Sequence, residues 1–586
     1  MVVEAAHPAR TETEPYRHRL LDAYRRSFVG QRVRYPTYSL EGQVHLTERC
    51  YLDSAATTLV SEAVLRGERD YLETSLANSH TRAHLAGRTT TDEIEEARRA
   101  LGRFVGADPA SDLVIFTGNG ATGALNLLAR ALFPPQLRWL EDCEHMHGAD
   151  AATCARFRPV MQELKAALRA GDPVLDALLR RPKVIVTMME HHSNILPWVA
   201  AAGHKNVLYC RVRPDTTLDL DHLQQLLQEN GQETRLVAVT GVSNVTGLKN
   251  PVHRIARLAH SVGAEIVVDA AQMAAHAVLQ MHPPEEPGAD IDYVVLSGHK
   301  IYAPGSRGGL VGRMSAFLNR ETVGDLGGGM VEYVSVEGYK AKSDPAQREE
   351  AGTPNIPGTI RFGLSLEILR RIGMDLVEQD EDRLVAQALP LLAALPGVTV
   401  YGSHDLARAP RAGVFSFNVD DLHHGFVASV LNDYFNVAVR NECFCAQPYV
   451  KEQLAVTPEQ ECALQARMLL HDRRTLPGMV RASFGIYSTL DDVERLADAL
   501  RFIRKHVAKL EARYSQNRAG DFIHHRGFHQ DPPFTVAGAV DRHLDDLLRA
   551  DQERAGESGA AGAAVGTGLP AAGGGGSSHP APIQDS

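Results

Sequence analysis

The chain has 586 residues, of which 44% are hydrophobic and 23% charged, and its formal net charge is −11. This length exceeds what one hydrophobic core holds and predicts about two to four domains of ordinary globular composition. The negative balance excludes the basic face that binding to nucleic acid or to an anionic membrane requires, and apolar runs stay short of the ~20 residues of a membrane span. We therefore expect a cytoplasmic protein, and seven scattered cysteines predict no disulfide framework.

The hydrophobic pattern assigns elements in chain order. Apolar side chains recur at helical spacing over residues 16–31, which predicts a helix within an N-terminal arm, residues 1–45. Over residues 46–335, strand-like apolar runs alternate with helix-like stretches, which is typical of a large α/β domain on a mostly parallel sheet. The looser pattern of residues 336–510 predicts a smaller α+β domain. Residues 511–586 form an extension whose Gly- and Ala-rich final thirty residues we expect to be disordered.

Two predicted strands end in residues that suit one chemistry. The run AEIVVDAAQ places Asp269 and Gln272 at the end of one strand, and DYVVLSGHK places His299 and Lys300 at the end of another. Because ligands of open α/β sheets bind beyond the carboxyl ends of the strands, we expect these groups to meet. A lysine that forms a Schiff base with pyridoxal 5′-phosphate avoids the cost of burying an ammonium, and a carboxylate pairs with the pyridinium nitrogen.

Further residues could complete such a site. The Gly-rich turn in FTGNGATGALN leads from a strand into a helix, so backbone N–H groups and Thr122 could hold the phosphate. His191 or His192 offers an imidazole face for the ring, and Arg440 and Arg481 offer guanidinium groups for a substrate carboxylate. Each residue alone has an ordinary interpretation as a helix cap, a solvated charge or a loop side chain. The ordered set favours a cofactor site.

Eight stretches carry a family resemblance, and they occur in family order. They are YLDSAATT (51–58), MEHHSNILPW (189–198), GVSNVTG (241–247), VVDAAQ (267–272), SGHKIYAP (297–304), EAGTPN (350–355), VRNECFCAQP (439–448) and RASFGIYST (481–489). Through them the chain resembles the class V aminotransferase-like group of fold-type I pyridoxal-phosphate enzymes, specifically the group II cysteine desulfurases. The resemblance implies the α/β architecture of fold type I, with a mostly parallel sheet in the large domain and a smaller α+β domain.

The resemblance also implies a role for each matching residue around the cofactor. Lys300 would be the Schiff-base lysine, Asp269 the partner of the pyridinium nitrogen, and His191 the ring that stacks on the cofactor and assists catalysis. Gln272 would contact the ring hydroxyl. The residues implied for the phosphate are Thr122, Ser297 and His299, joined by Thr353 from the second subunit of a homodimer.

The same resemblance implies which residues bind the substrate and which residue accepts its sulfur. Asn244 and Arg481 would hold a small amino-acid substrate, Arg481 through its carboxylate, with Arg440 as a second guanidinium nearby. Cys445 falls where the family places its sulfur-accepting cysteine, which implies a persulfide at that position and a sulfur-acceptor protein as a partner.

The Cys445 loop departs from the family pattern. A glycine and two histidines usually precede the cysteine, whereas this chain has Glu442, Cys443 and Phe444 there. Since a neighbouring carboxylate raises a thiol pKa, the departure leaves the reactivity of the loop open.

A second departure is an insertion over residues 133–181. It contains Cys143, His145, His147 and Cys154, which could bind zinc, but the spacing fits no standard finger and a solvated acidic loop is the favoured interpretation. The HHRGFH run at 524–529 is interpreted in the same way, so no metal site is predicted.

We therefore expect a homodimeric enzyme that converts L-cysteine to L-alanine and leaves a persulfide on Cys445. An aminotransferase, an epimerase or a C–S lyase on the same cofactor, with no use for Cys445, is the nearest alternative. A non-catalytic scaffold of the same fold is the third, and the full Lys300, Asp269 and His191 set disfavours it.

Overall fold

The computed structural model describes residues 13–133, 182–318, 324–525 and 533–563, with four isolated positions between 159 and 166. The chain divides into two compact units, Met1–Gly527 and Phe528–Ser586. The finer division into arm, two domains and extension stays a prediction. Within the described ranges, no helix combines the length and the apolar character needed to cross a bilayer.

Helices of the first unit often begin at a side-chain cap. Ser61 accepts the N–H of Val64, and Asn355 accepts the N–H of Gly358, so that a side-chain oxygen satisfies a backbone donor of the first turn. The helices are Glu14–Arg25, Glu62–Thr74, Leu85–Val105, Gly120–Leu132, Leu196–Ala202, Leu220–Asn230, Val252–His260, Pro345–Glu349, Ile356–Ile372, Met374–Ala393, His424–Phe435, Gln447–Gln453, Pro458–Leu469 and Leu490–Glu511.

A seven-stranded sheet forms the centre of the first unit. Its strands, in spatial order, are Asp112–Thr117, Gly308–Arg313, Tyr293–Ser297, Glu265–Asp269, Thr234–Thr240, Lys183–Thr187 and Val207–Cys210. The strand Gly308–Arg313 is antiparallel to both neighbours, and the other pairs are parallel. This mostly parallel sheet with helices confirms the predicted α/β fold class.

Both faces of the central strands are covered, which explains their nearly continuous apolar sequences. All five residues of Tyr293–Ser297 are buried. Val294 and Leu296 belong to the hydrophobic cluster on one face, whereas Tyr293 and Val295 belong to the cluster on the other. Successive side chains alternate between the two faces because a strand has a two-residue period. With both faces covered, polar side chains can reach solvent only at the strand ends.

A second, four-stranded antiparallel sheet has the order Val398–Val400, Val414–Val419, Met479–Ser483 and Arg440–Glu442. A short parallel pair, Cys50–Tyr51 with Val437–Ala438, joins the early chain to this region. Three hairpins complete the strands of the described residues: Arg34–Tyr38 with Val44–Glu48, Val331–Ser335 with Gly338–Ala341, and Tyr514–Gln516 with Phe522–His524.

The N-terminal helix Glu14–Arg25 packs against the turn that carries Lys300. Tyr24 and Phe28 are buried and make edge contacts with Tyr302, at ring-centroid distances of 6.3 and 5.4 Å. The Tyr302 hydroxyl accepts the N–H of Ile486 at 2.9 Å. An aromatic cluster therefore holds the chain in place two residues beyond Lys300.

Two sequence predictions concern segments at the edge of the described chain. The 133–181 insertion lies outside the described residues apart from Phe133 and isolated positions. In the second unit, the helix Val536–Ala563 extends into the final thirty residues, for which the sequence predicts disorder. The disorder expected at the end of the extension stays a prediction.

Glu350 links three parts of the first unit. Its carboxylate lies 2.6 Å from Arg98 Nη1 and 2.9 Å from Arg307 Nη1, and it accepts the backbone N–H of Phe116 at 2.8 Å. The carboxylate thus ties the helix Leu85–Val105 to the edge of the central sheet. Removal of one member of a buried ion network leaves its partners charged and desolvated.

We expect Glu350→Ala to lower the free energy of unfolding by about 3–5 kcal/mol, because Arg98 and Arg307 would lose their shared anion. Glu73→Ala, which breaks an exposed pair with Arg69, is the matched control and should cost less than about 0.5 kcal/mol. Urea unfolding measures both. Equal midpoints for the two variants would contradict the structural role of Glu350.

Candidate active site

The predicted site residues converge at the carboxyl ends of the central strands. They surround a cavity of about 230 Å³. Eleven of the twelve residues that the sequence singles out line it: Thr122, His191, Asn244, Asp269, Gln272, Ser297, His299, Lys300, Arg440, Cys445 and Arg481. Thr353 is the exception: it does not line the cavity of its own chain and is exposed.

Lys300 occupies the single helical turn Gly298–Lys300 that follows the strand Tyr293–Ser297. Burial and, next to it, the positive charge of Arg481 lower the pKa of its ammonium to about 8, although Asp269 acts in the opposite direction. Near neutral pH, Lys300 is therefore a neutral amine more often than a lysine in water. A neutral amine can attack an aldehyde and can accept a proton.

Asp269 ends the neighbouring strand Glu265–Asp269 and is buried, with 5% of its surface exposed. Its Oδ1 accepts the N–H of Ala271 at 3.0 Å, and burial raises the pKa of the carboxyl. Among the described residues, no salt bridge to Asp269 is found. A buried acid that faces a cavity without a paired cation fits the protonated ring nitrogen of pyridoxal phosphate.

A narrow cradle lies at the N-terminus of the helix Gly120–Leu132. Ser297 Oγ accepts the N–H of Ala121 at 2.9 Å, and a Cβ on Gly120, whose φ is +59°, would lie 2.7 Å from the same oxygen. Thr122 Oγ1 lies 2.7 Å from Ser193 Oγ at the rim. Backbone donors and hydroxyls at a helix N-terminus fit a phosphate group, and glycine is required where the chain approaches so closely.

Two neutral imidazoles border the cavity. Burial, followed by the charge of Lys300, lowers the pKa of His191 to about 3 and that of His299 to about 4. The Nδ1 of His191 accepts the N–H of Ser193 at 3.1 Å, which fixes the ring orientation. An uncharged, oriented imidazole can stack on a pyridine ring without repelling its protonated nitrogen. Gln272 is held by a 2.7 Å hydrogen bond from its Nε2 to the carbonyl of Ala55.

The two arginines meet because their strands pair. Arg440 and Arg481 are directly opposite each other in the antiparallel pair of Arg440–Glu442 with Met479–Ser483. Burial lowers the pKa of Arg481 to about 10, which leaves it a cation at neutral pH. The two guanidinium groups can attract one substrate carboxylate.

Asp53 is a site residue that sequence reasoning missed. It contacts both arginines, at 3.5 Å to Arg481 Nη2 and 3.7 Å to Arg440 Nη1, and burial raises the pKa of its carboxyl. Its position in YLDSAATT, two residues beyond the short strand Cys50–Tyr51, was the available signal. The carboxylate lies where it can hold both guanidinium groups at the edge of the cavity.

Cys445 is exposed and lines the cavity. The turn that carries it is closed by a hydrogen bond from the N–H of Ala446 to the carbonyl of Cys443, at 2.8 Å, and the Cys445 carbonyl accepts the N–H of His192 at 2.7 Å. Cys443, in contrast, is half-buried, and its Sγ lies 3.2 Å from the carbonyl of Pro477. Burial raises the pKa of the Cys443 thiol to about 11. The turn thus presents one of the two cysteines to the cavity.

Glu190 is a second residue that the sequence did not single out, although it directly precedes His191. It is fully buried, and its carboxylate oxygens accept from Thr187 Oγ1 at 2.5 Å, Asn194 Nδ2 at 2.6 Å and the N–H of Thr240 at 2.9 Å. Burial raises the pKa of Glu190 to about 8. These bonds tie the histidine-bearing loop to the end of a central strand.

Two stretches of the sequence contain residues that could bind a metal ion. The insertion residues Cys143, His145, His147 and Cys154 lie outside the described residues, as do residues 526–529 of the HHRGFH run. Across the described ranges, no group of three or more His, Cys, Asp and Glu side chains is placed to hold a metal ion.

In a comparison with known protein families, the chain matches the aminotransferase class-V family model over residues 50–141 and 167–496. A probable cysteine desulfurase of Halalkalibacterium halodurans is 34% identical over 463 residues, which cover 79% of this chain and 94% of that protein. A cysteine desulfurase of Dickeya dadantii is 32% identical, with 81% of this chain and 96% of that protein covered.

Solved structures agree with these sequence matches. The apo structure of a cysteine desulfurase from Thermococcus onnurineus superimposes with a TM-score of 0.60 at 27% identity, covering 83% of this chain and 98% of that one. The cysteine desulfurase CsdA of Escherichia coli gives a TM-score of 0.57 at 26% identity, with 78% and 95% covered. The chain therefore belongs to the class-V aminotransferase family and is a pyridoxal-phosphate-dependent enzyme whose relatives are cysteine desulfurases.

Proposed function

We propose that the protein is a cysteine desulfurase that converts L-cysteine to L-alanine and collects the sulfur as a persulfide on Cys445. The observation that carries the proposal is the placement of Cys445 on the wall of the cavity that also contains Lys300 and Arg481. A substrate held by its carboxylate at Arg481 would reach both the amine and the thiol. The names of the relatives support the same activity.

Each residue around the cavity would contact a different part of the cofactor. Lys300 would hold the aldehyde carbon covalently, Asp269 the ring nitrogen and His191 the ring face, while Gln272 would contact the ring hydroxyl. Ser297, Thr122 and His299 would hold the phosphate at the helix N-terminus. When bound, pyridoxal phosphate acts as an electron sink that stabilises negative charge at the substrate Cα.

Two side chains orient the substrate. Arg481 would bind the α-carboxylate of the substrate. Asn244 lies beside Arg481, and the backbone carbonyl of Asn244 accepts a hydrogen bond from Arg481 Nη1 at 3.0 Å. Arg440 adds positive charge at the more exposed mouth of the cavity, where 57% of its side chain is accessible. This arrangement selects an α-amino acid over a simple amine.

Proton and sulfur transfer use different sides of the cavity. Lys300 Nζ, released by the substrate amine, would take the Cα proton and later return a proton to the product. The Sγ of Cys445, as a thiolate, would attack the substrate sulfur, so that the new S–S bond forms as the Cβ–S bond breaks. The exposure of Cys445 allows the persulfide to pass to a sulfur-acceptor protein.

A homodimer is part of this proposal. The hairpin Val331–Ser335 with Gly338–Ala341 exposes Val334, Val336 and Tyr339, and Thr353 follows it on the surface. Apolar side chains exposed together on a hairpin mark an interaction surface. A second copy that covers it would bring Thr353 toward the phosphate cradle of its partner.

Lys300→Ala should abolish turnover and covalent capture of the cofactor. Borohydride reduction followed by mass spectrometry should label the wild-type peptide that contains Lys300 and leave the variant unlabelled. Because the amine must be neutral to attack, capture by cofactor-free protein should accelerate as the pH rises and level off above about 8. A variant that keeps its activity, or a wild-type capture rate that does not change between pH 6 and 9, would argue against Lys300.

Cys445→Ala should remove sulfur release from L-cysteine and leave cofactor capture at Lys300 intact, since the amine and its acid partner are unchanged. Mass spectrometry after brief exposure to L-cysteine should find one added sulfur on the peptide that contains Cys445. Cys462→Ala, an exposed cysteine on the helix Pro458–Leu469, is the control and should behave as wild type. A Cys445→Ala enzyme that keeps its full turnover and yields a keto acid in place of alanine would favour the aminotransferase or lyase alternative, which makes no use of Cys445.

Light scattering should give a molar mass of twice the 63.9 kDa chain. Val336→Asp should shift the protein toward monomer, because it places a charge in the proposed apolar contact. Glu337→Gln, at the neighbouring exposed position, should leave the dimer intact. A monomeric wild type with full activity would exclude a contribution of Thr353 from a second subunit.

A further inference from the structure

Phe444, the residue before Cys445, closes a ring of three contacts. Its carbonyl accepts from Asn244 Nδ2 at 2.7 Å, and the Asn244 carbonyl accepts from Arg481 Nη1 at 3.0 Å. The Arg481 guanidinium lies over the Phe444 ring, 4.7 Å from its centroid. Phe444, Asn244 and Arg481 are all buried, with 9%, 6% and 3% of their surfaces exposed. Phe444 therefore contacts both residues that would hold the substrate.

The backbone makes this arrangement specific. Phe444 and Cys445 both adopt left-handed conformations, with φ of +51° and +55°, which non-glycine residues seldom adopt. The turn is held by the Ala446 to Cys443 hydrogen bond, and His192 Nε2 accepts the N–H of Gln447 at 3.1 Å. The conformation directs the Phe444 ring at Arg481 while Cys445 remains exposed at the cavity.

The Arg481 guanidinium needs such a support. Nη1 donates to Asn244, Nη2 lies 3.5 Å from Asp53, and within the described chain Nε has no hydrogen-bond partner. A buried Nε donor without a partner is costly, and a carboxylate that paired with it would relieve this cost. The ring face keeps the guanidinium plane in this orientation, since a cation on an aromatic face is strongly favoured once both are desolvated. An aliphatic side chain at 444 would let the group rotate toward Asp53.

We propose that Phe444 is a positioning residue that sets the preference of this site for substrates with an α-carboxylate, by holding the guanidinium of Arg481 on its ring. The inference rests on the proposed function, in which Arg481 binds the substrate carboxylate. It assigns a role to one of the residues at which this loop departs from the family pattern.

The test compares a ligand with a carboxylate and one without. L-Alanine and ethylamine are titrated into the holoenzyme, and the cofactor absorbance reports each dissociation constant. Phe444→Leu should weaken L-alanine binding by about 5- to 30-fold and change ethylamine binding by less than about twofold, and Phe444→Tyr should restore the wild-type ratio. For L-cysteine, Phe444→Leu should raise KM and leave kcat within about threefold, because the interaction is one of uniform binding.

Several outcomes would overturn the inference. If Phe444→Leu leaves both constants unchanged, the ring does not support Arg481. If it weakens both equally, its role is structural. Arg481→Lys is measured in parallel: loss of the L-alanine preference there, without loss in Phe444→Leu, refutes the role of Phe444 and leaves the proposed function standing. A wild type that binds both ligands equally refutes carboxylate recognition by Arg481 itself.

Discussion

The site depends on charges that are buried together at the carboxyl ends of parallel strands. Lys300, Asp269 and Arg481 lie in surroundings that disfavour their ionised forms, and burial is the first cause of each of their pKa shifts. In water, a lysine and an aspartate keep their ordinary pKa values, so the lysine would stay charged at neutral pH and water would solvate the carboxylate. Neither group would then favour a cofactor over solvent. In the proposed site, a covalent cofactor with a cationic ring nitrogen would relieve two of these costs together, since it would remove the Lys300 ammonium and pair with the Asp269 carboxylate.

The two sheets contribute different parts of the chemistry. The central sheet supplies the strand ends that carry Lys300 and Asp269, whereas the four-stranded sheet supplies Arg481 and Arg440. The Cys445 turn is bonded to the histidine loop through the N–H of His192. Because each group is held by a separate element, small relative shifts of these elements would alter the distance between the amine, the guanidinium and the thiol. The hydrogen bonds between the loops fix that geometry.

The turn before Cys445 shows how one family site can be tuned locally. The family resemblance implies small and basic residues there, and this chain instead has a half-buried cysteine and a buried phenylalanine that packs on Arg481. The carboxylate of Glu442 pairs with Arg473 at 3.3 Å. The residues that differ from the family are therefore integrated into the fold, and they leave the cavity-facing position to Cys445.

The sequence by itself determined the fold class and most of the cavity. Strand periodicity and the polar residues at strand ends are local signals, and parallel strands bring their ends together, so Asp269 and Lys300 could be paired before any coordinates. Only the tertiary structure revealed Asp53, Glu190 and the contact of Phe444 with Arg481. These roles depend on contacts with residues far apart in the chain. Asp53 pairs with Ser483 and lies 3.5 Å from Arg481, and Glu190 accepts the N–H of Thr240 on a neighbouring strand. Thr353 does not line the cavity of its own chain. The contact proposed for it would be made with a second subunit, whose placement a single sequence does not contain.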